Sequence, residues 1–288
     1  MIAVFRRELS AYFKGVLGYL LGAFLLVFAG IYTMAYNLSG YYSNFEYVLS
    51  GIGFIYLIAV PIISMRTLAE EKKQKTDQLL YSLPIRLTDV VLGKYLAMLT
   101  VLALPTGIMA LYPLVLSQFG AVSFASAYGA LFAFFLMGGC LLSIGLFISS
   151  VTDSQVAAAV ITLLTMMLLY FMSFLASFVS TEGSASLTAL TVLALIVAVI
   201  YYIMSRNALV AVLLGAVLIG GLQVWYHLDS SAFSGLFAGM MSAISVFDRF
   251  DTFVSGVFDI TSIVYDLSIT GVMLFLTTQA LEKRRWSE

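Results

Sequence analysis

Eight stretches of this chain are each close to 20 residues long and almost free of charge, and nothing else in the sequence narrows its fold as far. They fall at about Val16–Tyr36, Leu49–Met65, Tyr95–Leu116, Phe124–Ile148, Val156–Val179, Leu187–Ile203, Leu209–Tyr226 and Thr261–Ala280. A helix of about 20 apolar residues is long enough to cross a bilayer. The runs are continuous rather than alternating, which predicts helices and not a barrel. Composition agrees: 62% of the 288 residues are hydrophobic, 10% are charged, and mean hydropathy is +1.04. A water-soluble fold of this size would lack the polar surface to cover its core. The expectation is an all-α polytopic membrane protein, a single transmembrane domain over residues 1–288.

Basic residues set the expected orientation. With the N-terminus inside, the cytoplasmic segments hold Arg6, Arg7 and Lys14, six residues in Arg66–Lys94, then Arg206, Lys283, Arg284 and Arg285, which is 13 of the 14 Lys and Arg. Only Arg249 falls outside. Both termini are therefore expected in the cytoplasm. The first apolar run is about twenty residues long, against about 7–15 for a signal sequence, so it reads as a retained span. Before it, Ile2, Phe5, Leu9, Tyr12 and Phe13 share one helical face while Arg6, Arg7, Glu8 and Lys14 surround the others. That pattern predicts a helix over residues 1–15 lying in the cytoplasmic interface.

On the outer side, residues 230–259 carry Phe233, Leu236, Phe237, Met240, Met241, Ile244 and Phe247 at three- and four-residue steps. Two short helices are expected there, separated by a charged turn at Asp248, Arg249 and Asp251. Tyr32, Tyr36, Tyr41, Tyr42, Phe45 and Tyr47 fit an aromatic belt on the same side.

Most chemistries are missing. The single His227 and single Cys140 lie on different segments, so no metal site or disulfide framework is visible, and no serine sits in a nucleophile turn. A phosphate-binding loop would need Gly where Thr88 stands, ahead of Gly93-Lys94, so this chain does not bind ATP in that way and no cofactor is expected. Asp266 is the one carboxylate inside the predicted spans, which leaves proton coupling unsupported. Glu70-Glu71 is similar to the paired glutamates of intramembrane CAAX-type peptidases, but that chemistry also needs histidines on other helices. An intramembrane hydrolase using Glu70 and Glu71, or an ATP-independent channel or carrier, stay as alternatives.

Charge is concentrated in one place. Glu70, Glu71, Lys72, Lys73, Lys75, Asp77, Arg86, Asp89 and Lys94 are nine of the 29 acidic and basic residues. From Leu68 to Leu83 a helix is expected whose ridge is Leu79, Leu80 and Leu83, stopped by Pro84. A second helix then restarts with Thr88 or Asp89 as its N-cap candidate and feeds span three. A helical corner of this kind suits insertion into a groove on a partner.

Here a resemblance becomes specific. "MRTLAEEKKQKTDQLLYSLPIRLTDVVLGKYLA" (Met65–Ala97) resembles the cytoplasmic segment of ABC type 2 permeases, in which a charged run leads to a threonine, a leucine pair, Leu-Pro and Gly-Lys. "FDRFDTFVSGVFDITSIVYDLSITGVMLFLTTQALEKRRW" (Phe247–Trp286) resembles the C-terminal segment of the gliding-motility-type branch, and "FRRELSAYFKG" (Phe5–Gly15) fits too. The resemblance implies the permease subunit of an ATP-driven transporter, most often an exporter. It implies two separate ATP-binding subunits, which hold the ATP, and a second permease copy or paralogue. The segment 66–94 would carry the coupling helix, with Glu70, Glu71, Thr76, Asp77, Leu79, Leu80, Leu83 and Pro84 at the docking surface. The lipid bilayer is the remaining partner; no nucleic acid is implied. Two departures stand out: Lys75 occupies a place where many relatives have Gly, and residues 187–226 look like an inserted hairpin on a six-span core. That hairpin either docks an accessory membrane or extracytoplasmic protein or enlarges the lipid-facing surface. An apolar interior without fixed charges points to a lipid-like, peptide or hydrophobic cargo rather than a small ion.

Overall fold

The computed structural model describes residues 1–75 and 86–287. Among these every regular element is helical, and eight helical stretches are long and apolar enough to cross a membrane. In chain order the helices are α1 (Ile2–Lys14), α2 (Leu17–Tyr32), α3 (Glu46–Ile52), α4 (Tyr56–Ser64), α5 (Ala69–Lys73), α6 (Leu87–Met109) and α7 (Tyr112–Leu116). They continue as α8 (Phe124–Val151), α9 (Gln155–Ser177), α10 (Gly183–Ser205), α11 (Ala208–Leu228), α12 (Leu236–Ile244), α13 (Val246–Val254) and α14 (Ile260–Ser287). The chain divides into two compact units, Met1–Tyr170 with Val246–Glu288 and Phe171–Ser245, with the boundary inside α9.

The first unit is built around α8, against which α3, α4, α6, α13 and α14 all pack. The sequence makes α8 suitable for this: Gly, Ala and Ser recur along it, so neighbours approach closely. At Gly138 an added Cβ would sit 2.5 Å from a Leu102 methyl and 2.7 Å from the Tyr56 hydroxyl. The close approach lets buried polar groups find backbone partners inside the apolar interior. Tyr56 donates to the Phe134 carbonyl at 3.0 Å and Tyr95 to that of Gly139 at 3.2 Å. Unpaired, such hydroxyls would each cost of the order of 1–3 kcal/mol.

Four expectations differ from what is observed. Span two starts earlier than Leu49, because Phe45, Val48, Leu49 and Ile52 form a buried stripe; Glu46, at 1% exposure, therefore lies inside a spanning stretch. In the described part of the helix expected from Leu68 to Leu83, α5 ends at Lys73 and is followed by Lys75 in the left-handed region at φ 55°; residues 76–83 lie outside the described residues. The N-cap of α6 is Arg86, with no side-chain cap, and Thr88 and Asp89 lie within its first turn; buried Leu87 draws the helix start forward. Asp89 there still complements the positive end of the helix dipole. Finally, Asp248, Arg249 and Asp251 are not a turn. The break falls at Ser245, and these charges ride on α13, whose other face buries Val246, Phe247, Phe250 and Phe253.

The second unit is the α10–α11 hairpin with α12. Its tight "MSRNA" connection has a local cause: Arg206 closes α10 in the left-handed region at φ 54°, and the Asn207 side chain accepts from Val210 N at 3.4 Å to cap α11. At the other end Phe233, fully buried, sits 5.0 Å from the Trp225 ring and 5.4 Å from that of Tyr226. Gly235, at φ 70°, donates its N–H to Thr181 at 2.8 Å and so brings α12 against the start of α10.

Candidate functional site

The charged segment after span two is not a free loop. Its first part, α5, is bound on several sides by side chains of distant elements, and each attachment answers a backbone or charge requirement. A helix start leaves N–H groups without intrahelical acceptors. The Ser149 hydroxyl near the end of α8 accepts from Leu68 N at 3.2 Å and Ala69 N at 3.0 Å. In return, Lys72 sends its ammonium, only 4% exposed, to the end of α8, where it donates to the Ser150 carbonyl and, at 3.5 Å, to that of Thr152. A cation is favoured at the negative end of a helix. Lys72 also lies 3.7 Å from Asp153, which receives Arg284 from the last helix at 2.5 Å. Asp153, in the turn between α8 and α9, thus joins the charged segment to α14.

A second set of contacts ties α5 to α1 and α6. Lys94 of α6 is fully buried, and its ammonium reaches Glu71 at 3.0 Å, Glu8 at 3.1 Å and the Thr67 carbonyl at 2.7 Å. Arg7 closes the ring, 2.6 Å from Glu71 and 2.8 Å from Glu8. Two cations and two carboxylates satisfy one another, the condition under which buried charge is tolerated. Tyr12 of α1 adds a hydrogen bond to the Ile63 carbonyl at 2.9 Å. These contacts are possible because α1 lies against Gly93, where a Cβ would come within 3.1 Å of the Met1 carbonyl and of Val4. In the pair Gly93-Lys94, the glycine admits α1 and the lysine holds it.

Of the residues expected at a docking surface, Glu70 and Glu71 are engaged inside the chain. Glu70 pairs with Arg66 at 2.8 Å, and Glu71 with Arg7 and Lys94. Lys72, their neighbour in the charged cluster, is buried. Thr76, Asp77, Leu79, Leu80, Leu83 and Pro84 lie outside the described residues. Glu8, Ser149, Asp153 and Arg284 were not singled out by the sequence. The available signals were that Asp153 is the one charge between spans four and five, and that Glu8 sits among the bases of α1.

Lys75 has a separate interest. A residue with a Cβ in the left-handed region costs roughly 1–2 kcal/mol, a penalty glycine escapes. Here that conformation ends α5, as a C-terminal helix stop commonly does. The position is therefore one that asks for Gly, and this chain holds an exposed lysine there.

The ring also dictates an acid response. Burial pushes the Glu8 carboxyl up, but the Lys94 charge and hydrogen bonds from Arg7 and Lys94 outweigh it and hold the group below its ordinary 4.5. A carboxyl lowered on folding adds stability above its unfolded value and loses it as pH falls through the folded one. Docking of α1 should thus weaken progressively below about pH 4.5. Protection of the α1 amides against hydrogen exchange, followed from pH 7 downward, checks this. The Glu8→Gln variant should show weaker protection at pH 7 and a flatter acid profile.

At the far end of the same unit, the one basic residue expected outside packs on the last spanning helix. The Arg249 guanidinium lies 3.9 Å from the centre of the Tyr265 ring, so α13 places a cation against α14. Asp266, 7% exposed, follows Tyr265 in that helix.

The arrangement can transmit movement: a charged segment between spans two and three is fixed to α1, α6, α8 and, through Asp153, α14. Comparison with known proteins gives the same setting. No curated protein matches the chain. The pattern of the family described as "ABC-2 family transporter protein" matches residues 29–276, nearly the whole of the spanning region and the segment 66–94 within it. By that match this multi-pass chain belongs to the ABC-2 family of transporter membrane proteins.

Proposed function

We propose that this permease is moved by two separate ATP-binding subunits that dock on residues 66–94, with a second permease copy or paralogue completing the membrane pathway. The family supports a permease of an ABC transporter. The observation that carries the finer reading is the fixation of α5 to helices of the bundle through Ser149, Lys94, Glu8, Glu71 and Asp153. A segment gripped in this way conveys a push on its exposed part to the membrane helices rather than absorbing it. Docking energy comes from Leu79, Leu80 and Leu83 entering a groove of the partner, around Thr76, Asp77 and Pro84. Glu70 and Glu71 hold the base of the segment in place. Both termini are then cytoplasmic, in keeping with 13 of 14 basic residues on that side.

The direction is export, the membrane a prokaryotic plasma membrane, and the branch the gliding-motility type, on the strength of the C-terminal "GVFDITSIVYD" and "EKRRW" stretches. The cargo is lipid-like, peptide or otherwise hydrophobic. Leu83→Asp is expected to abolish capture of the ATP-binding subunit and its stimulated ATPase, since truncating a buried anchor costs ~2 kcal/mol or more and a buried charge costs more. The spans should remain folded. Because ATP-binding subunits are cytoplasmic, the same pull-down tests the orientation. Wild-type capture and ATPase in Leu83→Asp would remove the docking assignment.

A further inference from the structure

We infer that the surface on the ATP-binding subunit which meets the end of α5 is acidic, and that Lys73 and Lys75 are the residues of this chain that read it. This rests on the docking reading above. The sequence alone suggests a mixed-charge rim, with Glu70, Glu71, Lys72 and Lys73 all steering the partner. The structure removes three of the four from that rim. Glu70 is taken by Arg66, Glu71 by Arg7 and Lys94, and Lys72 is buried against the end of α8. What stays exposed beyond them is Lys73, Gln74 and Lys75, with Arg86 where the chain re-enters α6. Between residues 73 and 86 the sequence contributes three basic groups against the single acid Asp77. The internal pairing leaves Lys73, Lys75 and Arg86 as the exposed charges among the described residues of this segment.

Lys75 supplies an independent reason. It is held in the left-handed backbone region at φ 55°, where glycine would sit without strain and without losing any packing, since Lys75 is exposed. Among the described residues its side chain makes no hydrogen bond or ion pair that offsets this strain. A positive charge at that fixed point answers to something outside the chain. A bilayer of anionic lipid is the other source of negative charge, but its attraction is diffuse. Arg6 and Lys14 on α1, both exposed, serve a lipid surface equally well without backbone strain. A strained lysine at one defined place fits a defined carboxylate on a protein face.

Lys75→Gly separates the two roles, because it relieves the backbone and removes the charge together. The measurement is binding of the purified ATP-binding subunit to the full chain in nanodiscs of neutral lipid, at low and high salt, with the melting temperature of the chain alone. Lys75→Gly should melt no lower than wild type yet bind about two- to fivefold more weakly at low salt. The double reversal Lys73→Glu with Lys75→Glu should bind about tenfold or more weakly, and the gap should close at about 0.5 M salt, where the screening length falls below about 5 Å. Wild-type binding with both variants equal to it overturns this inference and leaves the docking reading intact. Absence of wild-type binding overturns both. A loss that appears only when the nanodiscs contain anionic lipid assigns the lysines to the membrane surface and overturns the acidic protein face.

Discussion

Replacing Lys94 by methionine is expected to release α1 from the bundle and to destabilise the purified protein by about 3–5 kcal/mol, the range seen when one partner of a buried ion pair is removed. Methionine is close to lysine in length and shape, so the effect isolates the charge. In the native arrangement the ammonium is fully buried and shared by Glu71, Glu8 and the Thr67 carbonyl. Without it, two carboxylates whose side chains are only 14% and 18% exposed lie beside each other with Arg7 as their one shared cation. One of them must take a proton or move out to water, and either change separates α1 from α5. Thermal unfolding in detergent gives the size of the loss, and hydrogen exchange gives its place. Adding Glu8→Gln and Glu71→Gln to Lys94→Met should recover part of the stability, because the stranded charges are then gone. A Lys94→Met protein that melts like wild type would mean that the ring holds nothing together.

The spanning helices were legible in the sequence because a bilayer imposes length and apolarity on each one, independently of its neighbours. All eight predicted spans overlap observed ones. What the sequence misplaced are ends, where a few residues of tertiary contact decide. Glu46 joins α3 because the stripe from Phe45 to Ile52 is buried, and Leu87 opens α6 for the same reason. The charged segment was legible as a cluster but not as a structure. Charge pattern along a chain distinguishes a solvated helix from a loop; it does not reveal that Lys72 is capping α8 or that Glu71 faces Lys94, contacts from residues 78 and 23 positions away. Arg284 with Asp153, 131 positions apart, was out of reach for the same reason. Lys75 is the converse case: a departure visible in the sequence acquires its meaning only from its backbone angle.

Gly93→Leu is expected to act on the same interface from the steric side. Even a Cβ at this position comes within 3.1 Å of the Met1 carbonyl and of Val4, so alanine demands a shift of a few tenths of an ångström. Leucine adds three further carbons with no space to enter, because Gly93 faces α1 and is buried. Overpacking of this kind costs typically about 1–3 kcal/mol, and here it is most readily relieved by lifting α1 away. That movement would carry Glu8 and Arg7 off Lys94 and Glu71, so the steric loss and the ion-pair loss are one event. The two substitutions should therefore not add: Gly93→Leu with Lys94→Met should be little worse than Lys94→Met alone, whereas independent sites would sum. Gly93→Ala should be mild, and its α1 amides should stay protected. If Gly93→Leu leaves α1 protected and lowers stability additively with Lys94→Met, the glycine and the lysine serve different contacts, and the account of α1 as held by their joint action fails.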